Sequence, residues 1–366
     1  MDISSLYFKE HDRHIAETAQ MNGQEYHSFI SADYYSLNNH PEVKQAAIDA
    51  IETFGTSLSV GQFSDRSPLI KQLEQHLSDV AKMEASCIFT SCYVANYGVI
   101  SILSKIDNVF FLYDQYCHSS IVSAIKSSKA DCDMYVHNNM SDLAAKLDRN
   151  FGKQVIVISE GLFSADGDFV DLVGLASLKN SFDFMLYIDE AHSFLLSQSH
   201  RNVADKYPEV ESDVIDLITG SLSKAMCSTG GFAVGQRKLI DKIRMSREYI
   251  FSTGITPSNI AASIACLNVL SNNDRHQKLS NNIEHFRQQA KKSGIDLGKS
   301  DTESPVFTIF PKSSCVDAYQ LLLKNHILVQ PLLYPAVPKE HERLRILINA
   351  AHSKEQIDCL IDSVDN

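Results

Sequence analysis

Thr219-Gly220-Ser221-Leu222-Ser223-Lys224-Ala225 is the stretch on which the fold turns. It follows Val214-Ile215-Asp216-Leu217-Ile218, an apolar segment that reads as a buried strand, and precedes the Gly-rich turn Ser228-Thr229-Gly230-Gly231. A lysine on the turn after a buried strand can be fixed in direction and partly desolvated, which makes its free amine available to a carbonyl. Most lysines are simply solvated, so Lys224 needs support elsewhere in the chain. That support lies upstream, in Phe184-Met185-Leu186-Tyr187-Ile188-Asp189-Glu190-Ala191-His192-Ser193. Here an apolar strand ends in a carboxylate, and open α/β sheets bind ligands at the C-terminal ends of parallel strands.

A directed lysine and a strand-end carboxylate together fit pyridoxal phosphate (PLP). The PLP aldehyde forms a Schiff base with a lysine, and a carboxylate on the pyridine nitrogen keeps it protonated so that the ring acts as an electron sink. Asp189 suits that role. His192, just downstream, can face the same site and bond the ring hydroxyl or a substrate carbonyl. The plainer alternative makes Asp189 a helix cap and His192 an ordinary surface histidine.

The 366 residues allow two or three domains, or one large α/β core with a smaller appended domain. A hydrophobic fraction of 44% is ordinary for a globular protein. The net charge of −12 argues against a nucleic-acid surface or an anionic membrane as the main partner. No apolar run approaches the ~20 residues of a membrane span, and Met1-Asp2-Ile3-Ser4-Ser5 lacks the features of a signal peptide. Eight scattered cysteines form no CxxC pair, so neither a zinc site nor a redox pair is indicated. They read as free thiols of a cytoplasmic protein.

Residues 1 to about 27 read as a polar helix, and Ser28-Phe29-Ile30-Ser31 as a short strand. Pro41 opens a helix to about residue 53 and Pro68 another to about Ala81. Cys87-Ile88-Phe89-Thr90 is a strand, and Ser91-Cys92-Tyr93-Val94-Ala95-Asn96 turns from it into a helix. Strand, small-residue turn and helix N-terminus make a phosphate cradle, or a plain βα turn. Val109–Asp114 leads to His118, whose ring is placed either to stack on a flat cofactor or to serve a structural role. Val155–Glu160 is fully apolar until its end, as in a parallel sheet covered on both faces.

Strands alternating with helices over 86–235 predict a βαβ series and a parallel-rich sheet. Phe232-Ala233-Val234-Gly235 adds an antiparallel strand, because its connection is too short for a helical crossover. The expected divisions are an N-terminal segment 1–40, a large domain 41–290 and a small α+β domain 291–366. In the last, Arg345 sits in a short apolar strand, which is costly unless it is paired. Its planar fork suits a carboxylate, from a substrate or from a structural ion pair.

From about Tyr34 to His352 the chain resembles the α-oxoamine synthases, a branch of the fold-type I PLP enzymes. The resemblance rests on Asp33-Tyr34-Tyr35-Ser36-Leu37 with His40-Pro41, Val94-Ala95-Asn96, His118-Ser119, Glu160-Gly161-Leu162-Phe163-Ser164-Ala165-Asp166-Gly167-Asp168, Asp189-Glu190-Ala191-His192-Ser193, Ser221-Leu222-Ser223-Lys224-Ala225, Gly230-Gly231, Phe251-Ser252, Tyr334-Pro335-Ala336-Val337-Pro338, Arg343-Leu344-Arg345-Ile346 and Ala350-Ala351-His352. It implies an α/β PLP-dependent transferase fold of type I: a mostly parallel seven-stranded sheet flanked by helices, with a small C-terminal α+β domain. By resemblance, Lys224 is the Schiff-base lysine, Asp189 pairs with the pyridine nitrogen, His192 lies by the ring hydroxyl and His118 stacks on the ring. Ser164 and Ser221 contact the cofactor, and the amides of Cys92 and Tyr93 hold its phosphate. Ser252 and Thr253 reach the phosphate of a neighbouring subunit in a homodimer with shared sites. Arg345 and Tyr35 serve the substrate, Arg345 binding its carboxylate.

The departures are Ala32 where the family usually has Asn, the loop Ser57-Leu58-Ser59-Val60-Gly61-Gln62 in place of a Gly-rich loop with an Arg, and Ser91 or Cys92 in place of a phosphate-turn Gly. The replaced loop, with Ser59, Gln62 and Pro68 in their present spacing, and His137-Asn138-Asn139 look more like the subgroup that makes α-aminoketone or α-hydroxyketone quorum-sensing autoinducers. The implied chemistry joins a medium- or long-chain acyl-CoA to an amino acid or S-adenosylmethionine. Alternatives are 8-amino-7-oxononanoate synthase or another α-oxoamine synthase, an aminotransferase using the same lysine and aspartate without acyl-CoA, and a non-catalytic protein of the same fold.

Overall fold

Seven short, mostly apolar segments line up side by side to build the sheet that carries the site. The computed structural model describes residues 9–59, 61, 67–197, 201–211, 213–334 and 337–364. Their strands are β1 (Arg13–Ile15), β2 (Thr18–Met21), β3 (Gln24–Ser28), β4 (Ala85–Phe89), β5 (Val109–Asp114), β6 (Asp131–Tyr135), β7 (Gln154–Glu160), β8 (Met185–Asp189), β9 (Leu217–Ser221), β10 (Gly231–Gly235), β11 (Val306–Ile309), β12 (Ile327–Leu328), β13 (Gln330–Leu332) and β14 (Arg343–Leu347). The central sheet has the order β4-β10-β9-β8-β7-β5-β6. β5 to β9 pair in parallel, while β10 runs antiparallel to both β4 and β9. A hairpin-length connection leaves no room for the crossover that parallel pairing demands.

The register aligns the carboxyl ends of the middle strands. Glu160 of β7 lies opposite Asp189 of β8, and Asp189 opposite Thr219 of β9. β9 and β10 are buried along their whole length, as strands covered on both faces are. Helices start where the chain provides caps. Ser67 accepts from the Leu69 amide before the helix Pro68–Ala81, and Ser91 from the Val94 amide before the helix Cys92–Leu103. Among the described residues, no helix is long and apolar enough to cross a membrane.

The N-terminal helix expected over 1–27 is replaced, over its described part, by the antiparallel strands β1, β2 and β3; residues 1–8 lie outside the described residues. Asn22 (φ 50°) and Gly23 (φ 74°) form the two-residue turn between Met21 and Gln24. Both are in the left-handed region, which an Asn-Gly pair adopts readily and which matches the twist of a hairpin. Polarity alone predicts a helix; the turn chemistry decides for strands. β12 extends this sheet in parallel with β3.

Two compact groups emerge from the chain's own contacts: 1–40 with 164–168 and 272–366, and 41–163 with 169–271. From the sequence alone the divisions fall at 40 and 290; the helix Arg275–Lys292 groups with the C-terminal residues. That first unit also contains the sheet β11-β14-β13.

Candidate active site

Asp189 ends β8 and is 3% exposed. Its Oδ2 accepts the Asn96 side-chain amide at 2.8 Å and its Oδ1 the Ala191 backbone amide at 2.9 Å. The Cys92 thiol lies 3.6 Å from Oδ1 and 3.8 Å from Oδ2. The residues after Asp189 form turns, so its bond to Ala191 closes an Asx turn and the helix-cap alternative falls away. All three donors are neutral. A buried carboxylate in such a setting gains from a cationic partner, and a pyridinium is one.

The second half of the cradle is the turn into the helix Cys92–Leu103. The hydroxyl of Ser91 takes the Val94 amide at 3.2 Å and its carbonyl the Ala95 amide at 3.0 Å. The amides of Cys92 and Tyr93 belong to the open first turn, where the helix dipole favours an anion. Gly231 floors this turn: a Cβ there would lie 2.2 Å from the Cys92 nitrogen. Only glycine lets β10 come so close. An anion seat and a buried carboxylate are thus linked by one residue, Cys92, whose amide serves the first and whose thiol touches the second. This donor set fits PLP, with its phosphate at one end and its ring nitrogen at the other.

Lys224 is partly buried on the turn after β9. The Cys227 amide bonds the Lys224 carbonyl at 2.9 Å and the Ser228 amide the Leu222 carbonyl at 2.8 Å, which fixes the turn. Its ammonium is close enough to favour the charged forms of Cys92 and Glu160. Ser221 bonds Ser223 hydroxyl to hydroxyl at 2.8 Å. His192 is buried in the turn after Asp189. His118 caps the helix Ser119–Ser128, its Nδ1 bonded to the Ser120 hydroxyl at 2.7 Å, and stays exposed. Its ring is therefore held in one orientation. Ser252 bonds the Thr253 carbonyl at 3.3 Å, and Thr253 bridges to Gly61.

Two further members of this group lie in stretches that carry the family resemblance, yet nothing in the sequence assigns them a role. Glu160 accepts the His118 backbone amide and is buried; burial first, then the Asp189 charge, push its carboxyl well up. Asn96 is fully buried between Asp189, Ser120 and Tyr187, whose hydroxyl donates to Asn96 Oδ1 at 2.7 Å. The i, i+4 spacing of Cys92 and Asn96 on one helix is the pattern that points both to Asp189.

In the other unit, Arg343 takes the structural ion pair. It bonds both oxygens of Asp166, at 2.8 and 3.2 Å. Arg345 instead donates to the Ser164 carbonyl at 3.1 Å and to the Gln330 side-chain oxygen. Both partners are neutral, and its Nε has no hydrogen-bond partner among the described residues. Burial pulls its guanidinium below the usual range. Ser164 thus meets Arg345 through its backbone. Tyr35 is buried with its hydroxyl 2.8 Å from His276 Nδ1.

The family described as aminotransferase class I and II matches residues 28–364. The 8-amino-7-oxononanoate synthase of Thermoanaerobacter pseudethanolicus is 33% identical over 94% of this chain and 88% of its own length. The serine palmitoyltransferase of Sphingobacterium spiritivorum is 32% identical over 92% of this chain and 85% of its own. Among solved structures, serine palmitoyltransferase from S. paucimobilis with PLP and myriocin bound superposes with a TM-score of 0.92 at 23% identity, covering 98% of this chain and 91% of that one. This last likeness concerns the fold.

Proposed function

The chain belongs to the class I and II aminotransferase family and within it to the α-oxoamine synthases, PLP-dependent acyltransferases, and on that premise we propose that it condenses an amino acid with an acyl-CoA, releasing CoA and carbon dioxide and giving an α-aminoketone. The observation that carries this reading is Asp189, a buried carboxylate with neutral donors only, next to the helix N-terminus at Cys92. When bound, PLP supplies the electron sink that an α-carbanion requires.

The chain's own residues do the rest. Asp189 holds the proton on the ring nitrogen. The amides of Cys92 and Tyr93 hold the phosphate. The Lys224 amine takes the proton from the α-carbon of the amino acid. His192 donates to the oxygen of the thioester carbonyl as it becomes anionic. Arg345, buried among neutral acceptors, receives the amino-acid carboxylate with its planar fork. Ser221 and His118 flank the cofactor, while Ser252 and Thr253 serve a second copy in a homodimer.

The two relatives are named as a synthase of 8-amino-7-oxononanoate and a palmitoyltransferase acting on serine, and neither name refers to a signal. Their match favours the alternative of an ordinary α-oxoamine synthase over autoinducer synthesis. The motif that had suggested the signal-forming subgroup has structural work here. His137 pairs with Asp114 at 2.9 Å and stacks on Tyr116. The Asn138 side chain ties the Phe169 carbonyl to the Asp171 amide, and Asn139 caps the helix Met140–Arg149. These contacts hold loops and specify no donor. In the other distinguishing loop, Val60 and residues 62–66 lie outside the described residues, as do Pro335 and Ala336.

The test is CoA release by the PLP-loaded protein, with the product identified by mass. Glycine, alanine, serine and S-adenosylmethionine are each paired with acetyl, pimeloyl and palmitoyl thioesters. Release with an amino acid and formation of an aminoketone are expected. Release only with S-adenosylmethionine would return the chain to the signal-forming subgroup, and amino exchange with a keto acid without CoA release would make it an aminotransferase.

A further inference from the structure

We infer that the Cys92 thiol is a positioning group for Asp189: as a third hydrogen-bond donor it shares the carboxylate with the cofactor's ring nitrogen and loosens the hold of Asp189 on that nitrogen's proton. The inference rests on the PLP reading above.

Three features of the structure carry it. First, the sulfur is within hydrogen-bond range of both carboxylate oxygens, at 3.6 and 3.8 Å. Second, the competing acceptor, Asn96 Oδ1, is farther from the sulfur, at 4.0 Å, and is neutral and shared with the Tyr187 hydroxyl at 2.7 Å, so the single thiol proton favours the nearer carboxylate of Asp189. Third, the thiol keeps that proton. Burial, and then the charge of Asp189, push its pKa well up, against a smaller opposing effect of Lys224. A protonated thiol beside a carboxylate is a donor; it is neither a nucleophile nor a metal ligand.

The phosphate turn carries Ser91 or Cys92 where the family resemblance leads one to expect a glycine, and of the two it is Cys92 whose side chain meets Asp189. A glycine contributes only its amide. Cysteine contributes the amide to the anion seat and a donor to the carboxylate. Every hydrogen bond accepted by Asp189 stabilises its ionised form and makes it a weaker base. The ring-nitrogen proton is then held less firmly, and the ring draws less charge.

The test compares wild-type holoenzyme with Cys92→Ala and Cys92→Ser. The readout is the pH midpoint of the change in visible absorption of bound PLP, alongside the dissociation constants of PLP and of its analogue with carbon in place of the ring nitrogen. In Cys92→Ala the ring nitrogen keeps more of its positive charge, which makes the Schiff-base nitrogen at Lys224 give up its own proton more readily, so the midpoint of that deprotonation moves to lower pH by about half a unit or more. PLP affinity rises about threefold relative to the analogue, which has no ring proton. Cys92→Ser, with a hydroxyl donor, restores the wild-type midpoint. An unchanged midpoint in the alanine variant, or a shift that serine does not reverse, overturns the donor role. Wild-type protein without a PLP absorption band would overturn the cofactor reading itself, and this inference with it.

Discussion

Asn96 reaches from the helix Cys92–Leu103 to β8 and donates its side-chain amide to Oδ2 of Asp189 at 2.8 Å. Its other ends are tied as well, the amide to Ser120 at 2.8 Å and the oxygen to Tyr187, whose hydroxyl also meets Thr219 at 3.0 Å. Asp189 is thereby aimed by a buried network whose members are each satisfied, and such networks specify one geometry. Replacing Asn96 with Ala removes a hydrogen bond to a charged group, worth about 1.5–3 kcal/mol. Because that bond is already present without the cofactor, its loss should appear as a lower Tm of the PLP-free protein, by an amount on the order of that energy. An unchanged Tm would mean that Asp189 is held without Asn96.

Arg345→Ala should raise KM for the amino acid about 10- to 100-fold, since a charge-assisted pair with the carboxylate is lost. PLP affinity should stay within a factor of about two, because uniform binding of the substrate alone is removed. Arg345→Lys should recover only part of the loss, because a point charge does not reproduce the fork. Equal loss in kcat with an unchanged KM would assign the residue a role other than substrate binding.

Gly231→Ala places a methyl group 2.2 Å from the Cys92 nitrogen, in backbone that cannot yield as a flexible side chain would. The first turn of the helix must move, and with it both the phosphate amides and the thiol. Loss of detectable PLP binding and a lower Tm are expected. At the other end of the same strand, Gly235→Ala meets the Asp216 carbonyl at 3.0 Å, and should cost stability while leaving PLP binding measurable. Tight PLP binding by Gly231→Ala would show that the turn is not the phosphate seat.

Glu190 is fully buried beside Asp189, and burial pushes its carboxyl up to about 8, against bonds from the Val203 amide and Ser193 that favour ionisation. The folded state therefore holds a proton that the unfolded chain has released. Below the unfolded value of 4.5 both states are protonated; between 4.5 and about 8 stability declines as pH rises. Glu190→Gln mimics the protonated acid and has no such proton to lose. Its Tm should match wild type near pH 4.5 and exceed it near pH 8, by an amount on the order of a few kcal/mol in stability. Parallel Tm profiles across that range would contradict the assignment.

The βαβ series was legible because its signals are local. Apolar runs such as Val155–Ile158, proline at helix starts and small residues at strand ends each act within a few residues. The antiparallel β10 followed from connection length alone. The N-terminal segment was misread because polar residues outweighed the Asn22-Gly23 turn, although that dipeptide is itself a local hairpin signal. Lys224, Asp189 and His192 stood out because strand-to-turn transitions place their backbones at the carboxyl edge of the sheet.

By itself, then, the sequence determined the βαβ series, a parallel-rich sheet with one antiparallel strand and the residues at the strand ends, since propensity and periodicity are properties of neighbouring residues. Only the tertiary structure decided what those residues touch. It set Asn96 and Cys92 against Asp189 across 93 and 97 positions of chain. It gave Arg343 rather than Arg345 the carboxylate partner, and it turned His137-Asn138-Asn139 from an apparent specificity motif into loop anchors. Hydrogen bonds and burial depend on distance in space, which pairing register and packing fix and which spacing along the chain does not encode.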